Sequence, residues 1–182
     1  METMPFRRIR ERRRRERVAR DIYAAIVEAA RRPGLYTALG VPDSVDGRFD
    51  LIVLHAYMVL RRLGTAPDEA TKALSQTLFD LMFADMDQNL REMGVSDLGV
   101  GRKVKDMATA FFGRVHAYDD GLAAGQAGLE AALGRNLYGT VHASAGHLAG
   151  MAAYLRRQLA CLEGQETAAL LDGRLEFGPV ED

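Results

Sequence analysis

The sequence predicts an all-α fold, a single helical domain of about six helices from which a basic N-terminal helix projects. Three observations predict it. Apolar residues recur at i, i+3 or i+4 through each long segment, and no segment alternates with the period of a strand. The strongest breakers, Pro33-Gly34, Gly64 and Gly94, fall between the periodic segments. A chain of 182 residues fits one domain, and 48% hydrophobic residues can bury a core without a metal or disulfide staple. The expected organisation is a basic helical arm (1–32), a helical body (33–172) and a frayed tail (173–182).

The first helix spans residues 6–32 and stops at Pro33-Gly34. Val18, Ile22, Ile26 and Ala29 give its second half an apolar stripe. Its first half, RRIRERRRRER, has almost none, so residues 6–17 should stand away from the core. Charge divides the same way: residues 1–32 carry +6 and the remainder −7. A turn-rich connection with Pro42, Asp43 and Asp46 follows. The second helix, 47–63, is apolar nearly all round in its middle and so should be central, with Gly64 as its stop. The third starts near Pro67, with Asp68 and Glu69 in the first turn, where the helix dipole favours acids, and it ends at Gly94.

Asp97 is the expected N-cap of the next segment. The fourth helix, 102–124, has the stripe Val104, Met107, Phe111, Val115, Tyr118 and Leu122. A shorter helix covers 126–137. A sixth, 142–162, carries Leu148, Met151, Leu155, Leu159 and Leu162. Residues 165–171 add a last turn or two.

The third helix is unusual. At ~100° per residue its large apolar side chains cover an arc of about 200°, running from Leu81 through Leu74, Leu78, Met82, Met93, Met86, Phe79 and Leu90 to Phe83. An ordinary half-buried helix shows a stripe nearer ~100° wide. Either this helix is packed on two sides, or Phe79, Phe83, Met86 and Leu90 line a groove for another chain. Methionine and phenylalanine suit a groove because they adapt to varied apolar ligands. Asp85 lies inside the arc, where an unpaired carboxylate is costly. It is expected to pair with Arg135 or with a cation of the 102–105 segment, or else to face a ligand.

Catalytic kits are missing. His142 and His147 are five apart, which splays them on a helix. His116 with Asp119 and Asp120 has ligand spacing but no second cluster to complete a metal site, and there are no paired Glu-x-x-His motifs. Gly99-Val100-Gly101 is a two-glycine turn without the rest of a dinucleotide fingerprint. Cys161 is the single cysteine, so an internal disulfide is excluded; it reads as a small buried apolar residue in a reducing compartment. The longest apolar run, 51–60, is too short to span a bilayer. The arginine-rich start lacks an apolar h-region, and the acids among its arginines argue against a transit peptide. The expectation is a cytoplasmic protein without cofactor or metal, and not an enzyme.

Taken together, GRFDLIVLHAYMVLRRL, LFDLMFADMDQNLREMGVSDLGVGRKVK, FFGRVHAYDDGL and LGRNLYG resemble the ubiquinol–cytochrome c chaperone family, over roughly residues 35–140. The resemblance is to a short bacterial form without the mitochondrial extension. It implies an all-α chaperone that binds newly made cytochrome b and assists assembly of respiratory complex III, near the ribosome and the inner membrane, with no enzymatic step. On that reading Phe79, Phe83, Met86 and Leu90, with Phe112 and Tyr118, border an apolar groove for the client. Phe112 supports this because it lies about 100° round the helix from Phe111, off the inward face. Arg135 and Asn136 supply polar contacts, with Asp85 holding Arg135. Arg12, Arg13, Arg14 and Arg15 dock the arm on the ribosome or on the anionic surface of the inner membrane, at which the protein would be peripheral. The competing reading is a ribosome- or nucleic-acid-binding module built on that arm. No aromatic residues interleave with the arginines as stacking platforms would, and no specific DNA binding is expected.

Overall fold

The computed structural model describes residues 4–66 and 68–180; Pro67, expected at the start of the third helix, lies outside them. The described residues form eight helices and no strand: α1 (Met4–Ala30), α2 (Gly34–Thr37), α3 (Val45–Gly64), α4 (Glu69–Glu92), α5 (Asp97–Ala123), α6 (Gly125–Asn136), α7 (Ala145–Glu163) and α8 (Thr167–Leu171). The fold is all-α, as the periodicity predicts. The two helices beyond the expected six are short: α2 lies in the turn-rich connection and α8 is the expected last turn.

α3 is the axis of the molecule. Its middle, Val53 to Val59, is buried without interruption, and α1, α4 and α7 pack around it. Ser44 starts it by accepting a hydrogen bond from the Gly47 amide at 3.1 Å. α4 is covered by α1, α3 and α5. Asp68 caps it, accepting from the amides of Ala70 and Thr71 at 2.8 and 2.9 Å. α5 begins at Asp97, about a turn earlier than the sequence suggests, and the Gly99-Val100-Gly101 stretch is helical. Val100 is fully buried and ties this first turn down.

α1 runs parallel to α4. Arg15 Nε donates to Thr77 Oγ1 at 3.0 Å, and Tyr23 Oη donates to Asp85 Oδ2 at 2.9 Å two turns on. Arg14 reaches Asp172 at 2.5 Å. The helix is therefore attached to the body from Arg14 onward, earlier than the lack of an apolar stripe suggests. The polar contacts of Arg14 and Arg15 replace the missing apolar ones. Residues 7–13 are exposed throughout.

The tail is docked, where fraying was expected. Gln165 Nε2 donates to Glu176 O at 2.7 Å, and its Oε1 accepts from the Glu176 amide at 3.1 Å. Gln158 Nε2 donates to the carbonyls of Gly178 and Pro179, and Arg157 donates to Val180 O. Two glutamines thus satisfy a segment with no regular structure of its own. Phe177 lies edge-on to His55, with ring centroids 5.1 Å apart. His55 itself is fully buried. Its Nδ1–H donates to Leu51 O at 2.7 Å, which leaves Nε2 to accept from Tyr154 Oη at 2.8 Å. Burial holds His55 neutral and pushes its pKa down to about 4.

Candidate functional site

Four phenylalanines meet where α4 crosses α5. Phe79 and Phe83 are one helical turn apart on α4 and so share a face, with ring centroids 4.5 Å apart. Phe111 and Phe112 are neighbours on α5 and point in directions about 100° apart. Phe111 turns inward and is 2% exposed, edge-on to both α4 rings. Phe112 turns outward and is 52% exposed, with its ring 5.4 Å from Phe79 and tilted only 30° to it. Phe79 is half-buried between them.

Three of these rings, Phe79, Phe111 and Phe112, form one wall of an open cleft of about 400 Å³ between α3, α4 and α5. Leu60 and Leu63 of α3 form its floor, and Gln76 stands at the rim. The rim's polar groups are already occupied: Gln76 Nε2 donates to Asp80, and the Ser75 hydroxyl donates to Thr71 O. Lys72, also at the rim, is exposed and paired with Glu69 at 3.2 Å, and the rest of the uncovered surface is aromatic and aliphatic. Such a cleft can hold an apolar side chain but holds no nucleophile with a base beside it. Among the described residues no cluster of three or more His, Cys, Asp or Glu side chains could take a metal.

A pair of ties fixes the walls. Arg114 Nη2 of α5 meets Asp50 Oδ1 of α3 at 2.7 Å, with Phe49 stacked under the guanidinium at 6.0 Å. Burial pushes the Asp50 carboxyl up to about 6, with Arg114 opposing. Asp119 of α5 accepts from Tyr57 Oη at 2.8 Å and pairs with Arg61.

The remaining expected site residues fall in several places. Phe83 and Met86 are buried beneath α5, and Leu90 is half-buried further along the same edge. Tyr118 is fully buried, its ring 5.3 Å from that of Tyr57, so it supports α5 from below and does not border the cleft. Asp85 is exposed and takes part in no ion pair among the described residues; Tyr23 and Asn89 are its partners. It joins α4 to α1, so the expected hold on Arg135 is not made. Arg135 is exposed near the end of α6, while the Asn136 side chain donates to Ala132 O within its own helix. Arg12 and Arg13 are exposed, Arg12 pairing with Glu16 at 2.7 Å, whereas Arg14 and Arg15 are bound to the body. Leu60, Leu63 and Gln76 were not singled out from the sequence. Their role comes from the α3–α4 approach, which leaves no local signature.

A family model described as ubiquinol-cytochrome C chaperone matches residues 37–177. The chain belongs to this family. The match extends to Phe177, in agreement with the docked tail, and begins after α1. The crystal structure of the Cbp3 homolog from Brucella abortus superposes with a TM-score of 0.85 at 32% identity, covering 98% of each chain. Protein CBP3 of Saccharomyces cerevisiae, a mitochondrial protein, is 29% identical over 79% of this chain and 44% of its own length. Human ubiquinol-cytochrome c reductase complex assembly factor 1 is 25% identical over 87% of this chain and 53% of its own. The chain spans about half the length of these two relatives.

Proposed function

We propose that this chain is an assembly chaperone for the ubiquinol–cytochrome c reductase complex and that it holds newly made cytochrome b by an apolar segment. The relatives' names supply the assembly role, and the cleft supplies the means. The observation that carries the reading is Phe112, half in solvent beside Phe79 on a cleft whose polar rim is internally satisfied. Side chains left so are a docking surface in search of a partner. A cleft of about 400 Å³ takes one or two large side chains and not a whole helix. The client helix would therefore lie across it, inserting an anchor next to Phe112, with Leu90 extending the apolar edge. No described helix is long and apolar enough to cross a membrane. The exposed arm arginines, Arg12 and Arg13 among them, are the part available for docking near the ribosome or the anionic surface of the inner membrane.

The test is capture of newly made cytochrome b by purified protein at high salt, comparing wild type with Phe112→Asp. Capture should fall about tenfold with helicity and melting unchanged, since losing one apolar anchor is worth ~1–3 kcal/mol. Capture at the wild-type level would place the client elsewhere.

A further inference from the structure

We propose that the outer face of α5 is a docking surface for an anionic lipid bilayer, with Leu98 and Phe112 as its apolar anchors. The inward stripe of α5 runs through Val100, Phe111 and Tyr118. On the outward side, turned about 120–180° from it at ~100° per residue, lie Leu98, Arg102, Lys105, Thr109, Phe112 and His116, all exposed. Leu98 is 93% exposed, and Met93, across the turn from it, is 67% exposed. Leu98 and Phe112 stand 14 residues apart, or about 21 Å along the helix. Between them the face carries two cations. Neither Arg102 nor Lys105 takes part in an ion pair within the described chain. Asp97 is exposed but paired with Arg91, Asp106 is exposed on the flank about 40° round from Arg102, and Asp120 is exposed on the same line two turns beyond Phe112.

A helix face with apolar side chains at both ends and free cations between them matches the order of a membrane interface. The apolar groups enter the acyl boundary and the cations meet lipid phosphates. Nucleic acid would use the cations but leave Leu98 in water, and an ordinary apolar protein surface would strand the cations. The inference goes beyond client holding and shares only Phe112 with it. With α5 lying on the bilayer, the mouth of the cleft sits at the lipid surface.

The experiment is flotation of the full chain with vesicles of phosphatidylcholine, with and without phosphatidylglycerol. It is run in a background where Arg12→Gln and Arg13→Gln remove arm charge. Leu98→Asp and the pair Arg102→Glu with Lys105→Glu are compared, leaving Phe112 in place so that cytochrome b capture in solution is read separately on the same proteins. The expected result is flotation only with the anionic vesicles, reduced about tenfold by either change, with capture and melting unaltered. Flotation unchanged by both substitutions overturns the proposal. So does a Leu98-dependent self-association without vesicle binding, or retention by RNA in place of lipid. Loss of capture at Phe112→Asp with flotation still reduced by Leu98→Asp would uphold the lipid face and the client site together, whereas capture intact in every variant with flotation indifferent to Leu98→Asp and to the charge pair would remove the lipid face alone.

Discussion

Around α3, most buried polar side chains are joined to partners, the Tyr118 hydroxyl being an exception, and the apolar surface is covered. Along the outer side of the α4–α5 hairpin, polar groups bond among themselves at the rim while apolar side chains stay in water. Arg62 illustrates the first region: nearly buried, it donates to the carbonyls of Leu162 and Gln165 and to Thr167 Oγ1, closing the end of α7. Phe112 and Leu98 illustrate the second. Both regions use the same residue types. In the first the chain supplies the partners of Arg62 and His55 from its own length, including the tail laid over His55. In the second it stops short, and that incompleteness is where another molecule is expected.

Phe111 and Phe112 are the sharpest way to break the comparison, being adjacent and identical in chemistry. Phe111→Ala should cost about 3–5 kcal/mol in denaturant unfolding, because it empties space inside the aromatic cluster. Phe112→Ala should cost less than about 1 kcal/mol, as exposed positions do. Similar costs at the two positions would mean that Phe112 is structural and that the hairpin is finished after all.

Much of this contrast was legible in the sequence. Helical period found the long helices, and the position of Phe112 off the inward stripe indicated its exposure. Tyr118 lies on that same stripe, and stripe membership was a better guide to it than the search for groove aromatics. What local pattern does not carry is long-range polar pairing. Asp85 meets Tyr23 only because α1 runs parallel to α4, and Gln158 and Gln165 hold a tail that has no periodicity. Val100 sits between two glycines that suggest a turn, yet its burial extends α5 past them.

Acidification probes the closed region. His55 titrates near ~6.5 in an unfolded chain and about 4 when folded, so the folded protein binds fewer protons between those values. Its contribution is complete above about pH 6.5 and is lost as pH falls towards 4, up to about 3 kcal/mol. Asp50 acts oppositely: with its folded value raised to about 6, the folded protein binds more protons below that pH. The two shifts are similar in size and opposite in sign, so together they should leave wild type nearly flat on acidification, whereas Asp50→Asn should lose stability over the same window. Urea unfolding at several pH values checks this. Equal slopes would show that Asp50 does not titrate there.

A smaller effect is expected at Gly113, on the open side of α5. A Cβ added there would meet nothing within 4 Å, and its backbone φ is not positive. Gly113→Ala should raise stability by about 0.5–1 kcal/mol through helix propensity alone. Destabilisation would mean that this face is already packed.

The claim that the open hairpin holds the client is tested most directly by a photo-crosslinking residue placed at Phe112 and, separately, at Arg156, which is exposed on α7. Each protein is presented with cytochrome b as it is synthesised. The account predicts adducts to cytochrome b from position 112 and none above background from position 156; equal adducts from both, or adducts from 156 alone, would contradict it.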